Sequence, residues 1–153
     1  MHPTKGALWY QGEANTGDTQ EQYAALLSGM IADWRGHWKD EFDFLVVGLV
    51  NCGDRHTDPV ESGWAEVRAA EASVTAADPH SGLAEALDVG AGHNIHPLDK
   101  QDVGRDILVW ADQAPAPVAV RYAWQDNPPA NLYNKAGFPA VPFRTQEWRL
   151  NTK

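Results

Sequence analysis

In the stretch VGAGHNIHP (89–97) a glycine-rich loop delivers His96 directly before Pro97, a residue suited to the first position of a helix. An imidazole titrates near neutral pH, so His96 at such a helix start can act as a general base. A plain helix-capping histidine is the competing account. WYQGEAN (9–15) holds a second group of polar residues. There Glu13 can orient an imidazole and stabilise its cation, and the amide N–H of Gln11 can donate to a developing oxyanion. Both could instead serve only the backbone of a tight turn. Trp9, Asn15 and Asn94, from the same two stretches, are the candidates for contact with a substrate.

Acyl transfer also needs an activated Ser or Cys. The chain has four serines. Ser28 falls mid-helix, Ser62 near a helix start, Ser73 on a helix and Ser81 before a strand, so none occupies a tight strand-to-helix turn. Cys52, the single cysteine, follows an apolar strand and can face the same end of the sheet, although a small buried thiol explains it more simply. Cys52 and Ser62 are the two nucleophile candidates. A metal-assisted chemistry is the runner-up, with His93, His96, Asp54 and His56 as imidazole and carboxylate donors of the kind zinc takes. The H-x-x-H spacing recurs by chance on loops, which ranks this reading lower.

These residues need a scaffold. Ala7 to Gln11 reads as a short buried strand. Asp18, followed three residues later by Glu21, has the capping-box pattern. Tyr23, Leu26, Leu27, Met30, Ile31 and Trp34 then recur at helical spacing, which predicts a helix over 19–36. FLVVGLV (44–50) has the near-continuous apolar character of a strand covered on both faces. Trp64, Val67, Glu71 and Val74 lie three to four apart, and three of the four are apolar, predicting a helix over 61–76. A third strand is expected over 83–89, a helix over 97–113 and a fourth strand over 118–124. From Gln125 onward the pattern is Pro- and Asn-rich without periodicity, so residues 1–124 read as one domain and 125–153 as an irregular tail packed on it.

Strands alternating with helices imply βαβ units and a parallel α/β sheet of about four strands. Sites in such sheets form beyond the carboxyl ends of the strands. That rule gathers 11–15, 51–56 and 88–96, the segments that hold the candidate chemistry.

Composition narrows the partners. Net charge is −9, and no block of Lys or Arg stands out, so nucleic acid and anionic membranes are poor partners. A neutral substrate such as a sugar ester suits that charge. One cysteine excludes an intrachain disulfide and leaves the compartment open. No secretion signal is readable, and no apolar run is long enough to span a bilayer.

Five stretches taken in order resemble the sialate O-acetylesterase-like branch of the SGNH (GDSL-type) carbohydrate esterases. They are KGALWYQGEAN (5–15), DWRGHW (33–38), GWAEVRAAE (63–71), DVGAGHNIHPLDKQDVGR (88–105) and VRYAWQDNPPANLYNKAGFPAVPFR (120–144). The resemblance implies a flavodoxin-like three-layer α/β/α fold and hydrolysis of acetyl esters on sugars without a cofactor. It also implies that His96 is the catalytic histidine of the IHP block, with Gln11 and Glu13 in the W-x-Q-G-E block. The family's Asp-x-x-His pattern is not met, since His93 stands three before His96, which leaves Glu13 as the orienting acid. The family's Gly-x-Ser-Asn block lies upstream of WYQGEAN, and this sequence begins after that point. A β-rich segment before VAVRYAW is also missing. The expectation is therefore a truncated esterase domain without its serine, whose uncovered sheet edge pairs in a homo-oligomer.

Overall fold

The computed structural model describes residues 6–90, 92–95, 121–128, 133 and 139–144. Strand β1 (Gly6–Trp9) leads through a 3₁₀ turn at Glu13–Asn15 into helix α1 (Gln20–Trp38). Strand β2 (Asp43–Val47), helix α2 (Gly63–Ala77) and strand β3 (Ser81–Ala84) follow. Strands β4 (Arg121–Tyr122) and β5 (Phe143–Arg144) complete the elements.

The three long strands form one parallel sheet in the order β1-β2-β3. Leu8 pairs with Leu45, and Val46 with Leu83. Side chains alternate across the sheet. Phe44 and Val46 therefore share one face, fully buried, and meet Tyr23, Leu27 and Ile31 of α1 and Val67, Ala70 and Val74 of α2. Their four-residue spacing along α1 sets Tyr23, Leu27 and Ile31 on one stripe of the helix. Trp34 extends this core into an aromatic chain, 6.2 Å from Trp9, 5.5 Å from Trp38 and 5.7 Å from Phe44 between ring centroids. The opposite face carries Leu45 and Val47, with Leu8 78% exposed beside them.

Helix α1 starts on a capping box, one residue later than the sequence pattern indicates. The Thr19 hydroxyl accepts from Gln22 N, and the Gln22 side chain accepts from Thr19 N at 2.8 Å. The helix passes Gly36 and ends where Lys39 turns left-handed (φ 53°) and donates its N–H to Arg35 O.

Several expectations change. β3 covers 81–84 rather than 83–89, because its pairing with Phe44–Val47 ends at Ala84. Ala86 and Leu87 continue the apolar pattern as buried residues outside the sheet. The expected fourth parallel strand is a correction: Arg121–Tyr122 pair antiparallel with Phe143–Arg144 in a separate two-stranded sheet. Phe143–Arg144 thus form a strand within the stretch expected to be irregular, and Tyr133 makes an isolated antiparallel bridge with Pro139. Among the described residues the parallel sheet has three strands, and both long helices pack on one of its faces. The expected helix over 97–113 lies outside the described residues. No helix among the described residues is long and apolar enough to cross a membrane.

Candidate active site at the carboxyl ends of the strands

Arg68 holds this end of the molecule together. Helix α2 carries it inward, where it is fully buried, with its guanidinium 5.8 Å from the Trp64 ring centroid; among the described residues its hydrogen bonds all go to main-chain carbonyls. Nε donates to Leu49 O at 2.7 Å, and Nη2 to Val50 O at 2.5 Å and Asp126 O at 3.2 Å. Nη1 donates to Gln125 O at 3.1 Å. The loop leaving β2 is thereby tied to a segment more than fifty residues away in sequence. Further bonds reinforce the junction: Cys52 N donates to Asp126 O at 2.9 Å, and Asn127 Nδ2 to Gly53 O at 2.7 Å. Gly53 N in turn donates to Gly92 O at 2.5 Å, which draws in the loop that precedes His96.

Two carboxyl groups lie beside Arg68. Glu71 is fully buried; its Oε2 accepts from Leu49 N at 3.3 Å and its Oε1 has no hydrogen-bond partner among the described residues. Glu85, just past β3, has both carboxyl oxygens buried and, among the described residues, without hydrogen-bond partners. An isolated carboxylate is costly to hold away from water, so burial favours the protonated form. Burial pushes the Glu71 carboxyl well above the usual range, and the Glu85 charge adds to this. Burial likewise raises Glu85 to about 7, against the pull of Arg68. Arg68 is lowered by burial to about 10, opposed first by Glu85 and then by Glu71, and stays cationic at neutral pH.

The turn after β1 covers this cluster. Gly12 is buried with φ 152°, and a Cβ there would stand 2.8 Å from Val67 Cγ1 and 3.1 Å from the Tyr23 hydroxyl. Only glycine takes that backbone so close to α2. Tyr23 Oη donates to Gln11 O at 2.9 Å. Burial first, with the charges of Glu13 and Glu71 adding, raises the Tyr10 hydroxyl to about 12.

The structure places the sequence candidates as follows. Glu13 is half-buried, and its Oε2 accepts from Gly12 N at 3.1 Å. Gln11 is exposed, and its main-chain carbonyl accepts from Tyr23 Oη at 2.9 Å. Trp9 turns into the aromatic core on α1, and Asn15 Nδ2 donates to Asp18 Oδ2 at 2.7 Å within the turn. Cys52 is half-buried in the junction held by Arg68. Ser62 is the N-cap of α2, with its hydroxyl accepting from Ala65 N at 3.1 Å and donating to Asp126 Oδ1 at 2.5 Å. Asn94 lies exposed in the loop before His96, and His96 itself lies outside the described residues.

Of the metal set, His93 Nε2 and Asp54 Oδ1 come within 3.5 Å, both exposed. The His56 main chain donates to Gln125 Oε1 at 2.9 Å. Among the described residues no group of three or more His, Cys, Asp or Glu side chains is arranged to hold a metal ion.

Sequence reasoning passed over Arg68, Glu71 and Glu85 as site residues. The signal was present: Glu71 occupies a position on the apolar stripe of α2, where a charge has no place unless it is partnered or protonated.

No protein-family model matches the sequence. A search of curated proteins finds no match. Among solved structures, the chain is similar to a carbohydrate acetylesterase from Xanthomonas citri, with 28% identity and a TM-score of 0.79. The similarity covers 95% of this chain and 51% of that one, so this chain spans about half the length of that protein. The α/β unit built around Arg68 is thus structurally related to a carbohydrate acetylesterase.

Proposed function

We propose that the chain is part of a carboxylic-ester hydrolase of the carbohydrate O-acetylesterase type, with O-acetylated sialic acid or a similar acetylated sugar as substrate. One observation carries the reading: the likeness to a carbohydrate acetylesterase extends over 95% of the chain. The convergence of the 10–15, 48–56, 85–90 and 92–95 segments at one end of the sheet supports it. In this reading His96 is the general base. It takes the proton of the nucleophile as that group attacks the acetyl carbon, then returns a proton to the departing sugar oxygen. Glu13 orients the imidazole, and the Gln11 amide donates to the oxyanion. The nucleophile is Cys52, Ser62 or a group supplied by another chain, and of the two on this chain Cys52 is the less committed to other bonds.

A second reading, a sugar-binding relative without turnover, is favoured by one observation. Ser62, one of the two nucleophile candidates on this chain, is committed as the N-cap of α2 and to Asp126 Oδ1. The two separate in one experiment, in which acetate release and binding are measured on the same O-acetylated sugars. Release that scales with protein concentration supports the esterase. Binding with no release above the uncatalysed background supports the second reading and rejects the first.

A further inference from the structure

The arrangement around Arg68 contains a mismatch. A buried guanidinium ordinarily takes a carboxylate as its partner, because a paired charge is far less costly to bury. Here two glutamates stand close enough for their charges to act on it, yet its N–H groups go to the carbonyls of Leu49, Val50, Gln125 and Asp126. Three buried carboxyl oxygens, Glu71 Oε1 and both of Glu85, meanwhile have no hydrogen-bond partner among the described residues. The pattern is coherent only while the acids carry little charge.

We infer that Arg68 is a proton-controlled clamp. While the Glu71–Glu85 pair holds its protons, the guanidinium stays on the four carbonyls that join the loop after β2 to residues 125–126; loss of protons from the pair draws it off them. The chemistry is acid ionisation alone, with the proton leaving to water. An ionised, unpartnered carboxylate in this site costs several kcal/mol. Rotation of Arg68 onto the carboxylate relieves that cost and breaks guanidinium–carbonyl bonds. Glu85 Oε1 is packed against Gly48, 2.6 Å from where a Cβ there would lie.

Every charged neighbour bears on the direction. From α2, Arg68 favours ionisation of both acids. Asp88, on the same loop as Glu85, opposes its ionisation. Glu13, from the turn after β1, opposes that of Glu71. Asp126 and Cys52 act on Arg68 and hold it cationic. Tyr10 and Tyr23 feel Glu71 and stay neutral throughout. Burial outweighs the single favourable cation for both acids, and Glu85 is raised to about 7.

The inference does not use the esterase reading, and its test reads backbone protection rather than turnover. Amide hydrogen exchange of the full chain, corrected for intrinsic pH dependence, is followed from about pH 5.5 to about pH 8.5. The reporter is the Cys52 N–H, which bonds Asp126 O across the clamped junction; the control is the Phe44 N–H, which bonds His80 O in the sheet. Protection of Cys52 falls about tenfold or more while Phe44 holds, and Glu85→Gln removes the fall. A flat Cys52 profile in the unaltered chain, or the same fall in Glu85→Gln, overturns the inference. Carboxyl-carbon NMR of the unaltered chain gives a second reading that needs no variant. One glutamate titrating near neutrality in step with Cys52 supports the clamp, and all glutamates titrating in the ordinary range overturn it.

Discussion

Asn51 Nδ2 donates to Asn127 Oδ1 at 2.7 Å, a buried side-chain bond between residues 76 apart in sequence. Asn127 passes the link on through its own Nδ2 to Gly53 O. Asn127→Ala leaves a buried donor and a main-chain acceptor unpaired at once. Each orphaned group costs about 1–3 kcal/mol, so urea unfolding should show a loss of about 2–6 kcal/mol. An unchanged midpoint would mean that water replaces Asn127 without cost.

The turn that presents Gln11 and Glu13 depends on Gly12. Alanine there meets Val67 and the Tyr23 hydroxyl in a backbone region that side chains avoid. Gly12→Ala should lower stability by about 2 kcal/mol or more, seen as a drop in Tm. A Tm equal to that of the unaltered chain would show that the turn has an alternative course.

Ser62 is read here as a helix cap before anything else. Ser62→Ala removes the bond to Ala65 N and the bond to Asp126 Oδ1, and should cost about 1–2 kcal/mol. A fluorophosphonate probe should leave Ser62 unlabelled, as read by peptide mass spectrometry. Labelling at Ser62 would make it the nucleophile.

Stability should fall as pH rises through the neutral range. Glu85 ionises near 4.5 when unfolded and near 7 when folded. Below about 4.5 both states hold the proton and its stabilising contribution is complete. Between the two values the unfolded chain has released the proton and the folded chain has not, so each rise in pH favours unfolding. About 3 kcal/mol is lost across that window. Urea titrations at a series of pH values should show this slope, and Glu85→Gln should reduce it, Glu71 supplying what remains. An unchanged slope in Glu85→Gln would move the effect to another group.

The scaffold was largely legible in the sequence and the centre of the site was not. The stripe Tyr23, Leu27, Ile31 and the run beginning at Phe44 give α1 and β2 because each has the period of its element. Their ends were less readable. Helix α1 stops at Lys39, which takes the left-handed conformation that glycine usually supplies, while Gly36 stays helical. The run at 44–50 outlasts its strand because Leu49 and Val50 stay buried past the end of the sheet pairing, where Arg68 takes their carbonyls. Periodicity registers burial and not the cause of burial. For the same reason Arg68 and Glu71, charged residues on a buried helix face, look like exceptions until the main-chain groups they bond, carbonyls for Arg68 and the Leu49 N–H for Glu71, are located in space.

The esterase reading rests most directly on His96. The measurement is acetate release from an aryl acetate and from an O-acetylated sugar, by the full chain and by His96→Ala. Loss of the general base should reduce the rate about 100-fold or more while the fold, followed by circular dichroism, is unchanged. Release by His96→Ala at the rate of the unaltered chain would contradict the reading.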